Sequence, residues 1–324
     1  MTPRTVSTPT IQSVAIVGGG YMGGGIAQSF ALAGLDCTVA DIDEETSKRT
    51  VARLIDEGHR YEANGLFPAG AAEILAARLF PAASIEKAVG HVDYVTEAVP
   101  ERLELKVSII KRISAAAGAS TIIGSNTSAI PIGTLAQASA HPERFLGVHW
   151  MNPSYFVPSV EVIPATATSD ETVLAVEALL NRVGKVPTRV TDATGFVANR
   201  LQFALFKEAV SIVEEGLATP QEIDEVVSNS FGFRLSIFGP FAVSDIAGLD
   251  VYESSFRSME KAFGERMSTP ALLRQKVEQG QLGLKSGAGF LEIDPAAAAD
   301  IAEYRDRAYF ELNALKKRLG PAPL

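Results

Sequence analysis

The chain has 324 residues, 47% hydrophobic and 21% charged, a balance typical of a folded protein with two domains or one domain and a large appendage. The net charge of −9 offers no basic face for a phosphate backbone, which argues against nucleic acid as a partner. The single cysteine, Cys37, excludes an intrachain disulfide and fits a cytoplasmic location. The sequence contains no apolar run of ~18 residues, so we expect no membrane span. Met1 to Thr10 lack the apolar segment of a signal peptide.

Short β-branched runs alternate with helical patterns from Ile11 to about Val190, which predicts strands joined by helices in a parallel sheet. The predicted strands are Ser13 to Val17, Thr38 to Ala40, Tyr94 to Ala98, Thr121 to Gly124, Phe145 to Val148, Val160 to Ile163 and Val186 to Val190. The first of them leads into a predicted helix from Gly24 to Leu32.

The pattern becomes helical after Asp192. The segment Gly195 to Leu217 is apolar on a period of about 3.6 residues. Thr219, Pro220 and Glu222 then give a capping-box start for another helix. The sequence therefore predicts an α/β fold, with an N-terminal Rossmann-like doubly wound sheet over residues 11–192 and an all-helical C-terminal domain over residues 193–324.

A glycine-rich turn, GxGxxG, follows the first predicted strand. Gly18 would allow the tight turn, Gly20 the close approach of a pyrophosphate, and Gly23 the packing of helix on strand. Asp41 ends the second strand, where a carboxylate can bind the ribose hydroxyls of an adenosine. Because three further acids lie at 43–45, a 2′-phosphate would be repelled, so the pattern predicts NAD rather than NADP.

His149 ends the strand Phe145 to Val148, at the sheet edge where doubly wound folds bind ligands. Glu161 lies twelve residues later in an apolar strand, where a carboxylate is costly to bury without a partner. If the chain folds back after Pro153, Glu161 can accept a hydrogen bond from one nitrogen of His149. The other nitrogen would then be free as the general base that oxidation of a hydroxyl requires. No histidine or cysteine spacing predicts a metal site.

Seven motifs in chain order resemble the L-3-hydroxyacyl-CoA dehydrogenase family between Ser13 and about Glu292. They are GGGYMG at 18–23, EAVPE at 97–101 with Lys106, SNTS at 125–128, HWMNP at 149–153 with Glu161, GFVANR at 195–200, GPF at 239–241 with Asp245 and GLD at 248–250, and KSGAGF at 285–290. The resemblance implies a helical domain that forms a homodimer, NAD as the cofactor, and a small-molecule substrate that is a hydroxy acid or its CoA thioester.

The same resemblance implies roles for individual residues. His149 would be the base, Glu161 its orienting partner, and Ser128 and Asn199 the polar groups that hold the reacting oxygen. Besides the three glycines and Asp41, the implied cofactor contacts are Met22, Ala98, Glu101, Lys106, Asn126 and Lys285.

Two stretches depart from the acyl-CoA type of the family. Residues 155–158, Tyr-Phe-Val-Pro, are similar to members that act on free hydroxy acids, such as L-gulonate 3-dehydrogenase and carnitine dehydrogenase. The predicted hairpin at 44–65, which carries cations toward CoA in acyl-CoA members, has three acids and two cations in the relevant stretch: Asp56, Glu57, Glu62, His59 and Arg60. These departures favour a hydroxy acid without CoA, and the thioester stays open.

Two alternatives compete with this interpretation. A dehydrogenase of the 6-phosphogluconate or 3-hydroxyisobutyrate type would use a lysine on the first interdomain helix, where Lys207 lies, and would not need the pair of His149 and Glu161. A non-catalytic structural protein, as the lens relatives of the family are, should have lost a member of the catalytic set, which is intact here.

Overall fold

The computed structural model describes residues 10–323. The stretch from Met1 to Thr10, predicted not to be a signal peptide, lies outside these residues except for Thr10. The chain forms two compact units that divide between Leu205 and Phe206, within one helix. The domain boundary near residue 192 rests on the change from strand to helix pattern and stays a prediction.

The first unit contains a sheet flanked by helices. Its strands are β1 (Ser13–Val17), β2 (Asp36–Ala40), β3 (Leu79–Pro81), β4 (Tyr94–Glu97), β5 (Ile122–Ser125), β6 (Phe145–Trp150), β7 (Ser159–Pro164) and β8 (Val186–Arg189). Its helices are α1 (Tyr21–Leu32), α2 (Glu44–Ala63), α3 (Ala71–Arg78), α4 (Ile85–Val89), α5 (Leu103–Ala116), α6 (Ile132–Ala136) and α7 (Asp170–Arg182). The strands form one eight-stranded sheet in the order β3-β2-β1-β4-β5-β6-β7-β8.

All seven predicted strands are present, with ends that differ by at most two residues. The short strand β3 was not predicted. The expectation of a parallel sheet is wrong at one pair, because β7 runs antiparallel to β6. Only residues 151–158 connect these two strands, too few for a crossover, which needs about a dozen residues.

Alternate residues of β1 pack on opposite faces of the sheet. Val14 and Ile16 belong to the apolar cluster that contains Phe30 of α1, whereas Ala15 and Val17 belong to the cluster that contains Ile110 of α5. Both faces are therefore covered, which explains the continuous apolar run of this strand.

The second unit is helical, as predicted. It begins within α8 (Ala198–Glu214) and continues with α9 (Pro220–Asn229), α10 (Phe231–Leu235), α11 (Pro240–Ala247), α12 (Leu249–Phe263), α13 (Ala271–Glu278) and α14 (Ala298–Leu319). The predicted capping box is present, since Thr219 accepts from the Glu222 amide and Glu222 accepts from that of Thr219. No helix within residues 10–323 has the length and apolarity to cross a membrane.

Candidate active site

The glycine-rich turn joins β1 to α1 with little room for side chains. Gly18 has φ +100°, and a Cβ there would lie 2.8 Å from the carbonyl oxygen of Ala98. A Cβ on Gly23 would lie 1.9 Å from the oxygen of Gly18, whereas one on Gly20 would meet nothing within 4 Å. Gly20 therefore leaves open space beside the first turn of α1, where free amides suit an anionic group.

Asp41 follows β2 and fixes this turn. Its Oδ2 accepts from the Gly19 amide at 2.9 Å, and its Oδ1 accepts from the Ile42 amide at 2.8 Å. A contact that the sequence did not predict comes from α2: Arg53 donates to the Gly19 carbonyl at 2.8 Å and pairs with Glu57 at 2.7 Å. The turn is thus held by two neighbouring elements.

A cleft of about 790 Å³ opens beside the turn. The predicted cofactor residues that line it are Gly18, Gly20, Met22, Asp41, Ala98, Glu101 and Asn126, and Ser128 lines it as well. One face of α5 adds Leu105, Ile109 and Arg112, at helical spacing. This face was missed, although its spacing in the sequence could have revealed it. The glycine turn, the acid at Asp41 and the open space at Gly20 fit a dinucleotide.

Three predicted cofactor residues do not line the cleft. Gly23 lies beneath the turn. Lys106 has no exposed surface, and its Nζ donates to Glu97 at 2.8 Å and to the Val99 carbonyl at 3.1 Å. Lys285 belongs to the helical unit, where its Nζ pairs with Asp250 at 2.7 Å. The cofactor roles of Lys106 and Lys285 stay predictions.

Glu101 organises the turn that carries Ser128. Its Oε1 accepts from the Thr127 hydroxyl at 2.5 Å and from the amides of Ser128 and Ala129, each at 3.0 Å. Burial acts to raise the pKa of Glu101, but these hydrogen bonds and the charge of Lys106 outweigh it and hold that pKa below its ordinary value. Glu101 is therefore a carboxylate at neutral pH.

His149 and Glu161 face each other across β6 and β7. They are paired in the antiparallel register, and the Nδ1 of His149 lies 2.9 Å from the Oε2 of Glu161. Both side chains are buried. The other oxygen of Glu161 accepts from the amides of Val197 at 3.0 Å and Ala198 at 2.9 Å, at the start of α8. A carboxylate that only accepts requires the proton on Nδ1, which leaves Nε2 as the basic nitrogen.

Asn199 connects this pair to the Ser128 turn. Its side-chain amide donates to the Ser128 carbonyl at 2.9 Å, and it directly follows Ala198, whose amide binds Glu161. The structure thus places the four predicted catalytic residues close together, and their catalytic roles stay predictions. Sequence reasoning gave no role to Phe196, whose ring lies 5.6 Å from that of His149 between centroids.

One other groove carries none of this chemistry. A groove of about 1640 Å³ in the helical unit, lined by α9 and α14, contains none of the predicted site residues. Over residues 10–323, no group of three or more His, Cys, Asp or Glu side chains is arranged to hold a metal ion.

The Rossmann-like sheet and its dinucleotide cleft, next to a histidine paired with a carboxylate, define an NAD-dependent dehydrogenase that acts on a hydroxyl group. Two family models match: "3-hydroxyacyl-CoA dehydrogenase, NAD binding domain" over residues 13–193 and "3-hydroxyacyl-CoA dehydrogenase, C-terminal domain" over residues 195–293. The chain belongs to the 3-hydroxyacyl-CoA dehydrogenase family. The resemblance stated from the motifs is confirmed, and the alternative that relied on Lys207 is set aside.

Several relatives cover nearly the whole chain. A 5-formyl-3-hydroxy-2-methylpyridine 4-carboxylate 5-dehydrogenase of Mesorhizobium japonicum is 33% identical over 92% of this chain and 96% of its own length. A probable 3-hydroxybutyryl-CoA dehydrogenase of Bacillus subtilis is 35% identical over 88% of this chain and 98% of its own. The crystal structure of a 3-hydroxyacyl-CoA dehydrogenase from Archaeoglobus fulgidus superposes with a TM-score of 0.77 at 30% identity, covering 93% of this chain and 99% of its own.

Proposed function

We propose that this dehydrogenase oxidises the hydroxyl of a small 3-hydroxy acid that carries no CoA. Bound NAD⁺ would supply the hydride acceptor. The Nε2 of His149 takes the hydroxyl proton, while Glu161 keeps the other ring nitrogen protonated. Ser128 and Asn199 hold the oxygen as it becomes a carbonyl, since a hydroxyl and an amide can both donate to it.

The charges of α2 carry the substrate proposal. Three of its cations already pair with a glutamate on the same helix: Lys48 with Glu44, Arg49 with Glu45, and Arg53 with Glu57. Glu62 accepts from the amides of Gly70 and Ala72, so that its charge is fixed at the start of α3. Apart from His59 and Arg60, a CoA phosphate at this helix would therefore meet acids and cations that are already engaged.

The relative from Mesorhizobium japonicum supports the same substrate class, since its name describes a pyridine carboxylate rather than a thioester. A 3-hydroxyacyl-CoA is the second candidate. It is favoured by the names of the Bacillus and Archaeoglobus relatives and by Arg60, a cation that is exposed on α2.

We also propose that the protein is a homodimer. Among the described residues of the helical unit, the buried apolar side chains are Leu249 and Leu273, whereas many large apolar ones are exposed. Phe206, Leu217, Val226 and Phe310 are each more than 60% exposed. Apolar surface of this extent typically marks an association surface. Light scattering after size-exclusion chromatography tests the proposal, and a monomer at micromolar concentration would contradict it.

A parallel assay tests the substrate. Purified protein with NAD⁺ is mixed with L-3-hydroxybutyryl-CoA or with free hydroxy acids such as L-gulonate and carnitine, and NADH absorbance is followed. Turnover with a free acid alone, abolished in His149→Ala, supports the proposal. The control is His141→Ala, which removes a half-exposed histidine paired with Glu143 and should change nothing. Turnover with the thioester alone would establish the second candidate. NAD binding without any turnover would overturn the proposed substrate class and leave the cofactor site unaffected.

A further inference from the structure

Phe196 has an unusual backbone conformation beside the catalytic pair. Its φ is +48°, and it is the one non-glycine residue with positive φ among residues 10–323. Its side chain is 1% exposed. A bulky residue in the left-handed region is strained, and such strain persists only where the surroundings impose it and often serves function.

The left-handed turn at Gly195 and Phe196 places the start of α8 against Glu161. Directly after it, the amides of Val197 and Ala198 donate to one oxygen of that carboxylate. First-turn amides have no partner within their own helix, and the helix dipole favours a negative charge beside them. Asp192, just before the turn, accepts from the amides of Ile132 and Gly133 at 2.9 and 2.8 Å. The turn is thus fixed on both sides.

The ring of Phe196 contacts the other member of the pair. Its plane is inclined by 55° to the imidazole of His149, with the ring centroids 5.6 Å apart. Both side chains are buried, so the phenyl ring limits rotation of the imidazole. One residue therefore acts on both partners: its backbone directs two amides to Glu161, and its ring holds His149.

We propose that Phe196 is a positioning residue that fixes the tautomer and orientation of His149. The inference rests on the proposed function, in which Nε2 of that histidine is the base. Glu161, fixed by the α8 amides, keeps the proton on Nδ1 only while the imidazole faces it, and the ring of Phe196 prevents the imidazole from rotating away. With the ring packed on the imidazole, Nε2 keeps one direction toward the reacting hydroxyl.

Two substitutions test the effect of the Phe196 ring separately from that of its backbone conformation. Phe196→Gly removes the ring and tolerates positive φ, so the amides should still reach Glu161. Phe196→Leu keeps an apolar side chain and serves if the glycine variant does not fold. In both we expect kcat to fall about 10-fold or more, because small misplacements of a catalytic group are costly, and the KM for NAD⁺ to change less than about 2-fold.

The second readout needs no substrate. In protein labelled with ¹⁵N-histidine, the ring shifts of His149, assigned with His149→Ala, should show one Nδ1-protonated tautomer in the wild type and a mixture in Phe196→Gly. The control is Gly34→Ala, which introduces strain at φ +85° with open space around the new Cβ. It should lower the melting temperature and leave tautomer and kcat unchanged. An unchanged tautomer and kcat in folded Phe196→Gly would overturn the proposal. A wild type that oxidises no hydroxy acid, combined with the expected tautomer change, would overturn the substrate proposal alone.

Discussion

Lys106 and Glu97 form an ion pair in which neither side chain has exposed surface, with Nζ and Oε1 2.8 Å apart. Both side chains make further hydrogen bonds. Lys106 also donates to the Val99 carbonyl, and Glu97 also accepts from the Ser125 hydroxyl and the Val99 amide. This network joins β4, β5 and α5 behind the cleft wall. A buried pair of this kind is costly to break from one side, because the remaining charge has no partner.

Lys106→Met should therefore destabilise the protein by about 3 kcal/mol or more. Glu97→Gln combined with Lys106→Met leaves no buried charge and should recover part of that loss. Urea unfolding of wild type, both single variants and the double variant gives the coupling free energy. Additive losses would show that the two charges do not depend on each other.

Glu161→Gln should lower kcat between about 10²- and 10⁴-fold, because an amide can donate as well as accept and no longer imposes the proton on Nδ1 of His149. The KM for NAD⁺ should change little, since the cleft residues are untouched. Steady-state kinetics with the substrate found in the assay checks this. Equal activity of the variant would exclude Glu161 as the orienting partner.

The lowered pKa of Glu101 predicts that the stability of the protein depends on pH. Its pKa in the folded protein is below the ordinary value, so its contribution is present at neutral pH and is lost as the pH falls through the folded pKa. Between about pH 5 and pH 3, wild type should lose stability faster than Glu101→Gln, which does not titrate there. Half-exposure of the carboxyl keeps the difference small. Parallel slopes of melting temperature against pH would contradict the assignment.

Asp41→Asn should raise the Kd for NAD⁺ roughly 10-fold, because a charged acceptor for the ribose hydroxyls is lost. The relative affinity for NADP⁺ should rise, since the repulsion of a 2′-phosphate falls. Fluorescence titration with both nucleotides measures this. Asp36→Asn, at the exposed start of β2, is the matched control. An unchanged preference for NAD⁺ over NADP⁺ would show that the ribose does not bind at Asp41.

Much of the sheet was predictable because its signals are local. The strand ends, the glycine turn and the capping box at Thr219 each follow from a few adjacent residues. The pairing of His149 with Glu161 was predicted as well, because an acid in an apolar strand needs a partner.

The missed features depend on contacts between distant parts of the chain. The three-residue strand β3 forms only by pairing with β2. The ion pair of Lys106 with Glu97 was not predicted, because the sequence around the lysine does not reveal which acid lies opposite it. Phe196 has a positive φ, a conformation that is usually expected only of glycine. The residues next to it in the sequence do not predict this exception.

Gly20 and Gly23 of the turn are expected to serve different purposes, the first in contact with the nucleotide and the second in the packing of α1 on β1. Gly20 has φ −61°, which any residue adopts, and a Cβ there meets no atom within 4 Å. Gly20→Ala should therefore fold with unchanged stability, yet weaken NAD⁺ binding at least about 10-fold if the pyrophosphate approaches this backbone. Gly23→Ala places its Cβ 1.9 Å from the Gly18 carbonyl, so it should lower both stability and affinity, because α1 must move away from β1. Thermal melts and isothermal titration of both variants distinguish the effects. Normal affinity in Gly20→Ala would mean that the dinucleotide does not pass close to Gly20. Loss of affinity without loss of stability would mean that the added methyl group clashes with the bound nucleotide.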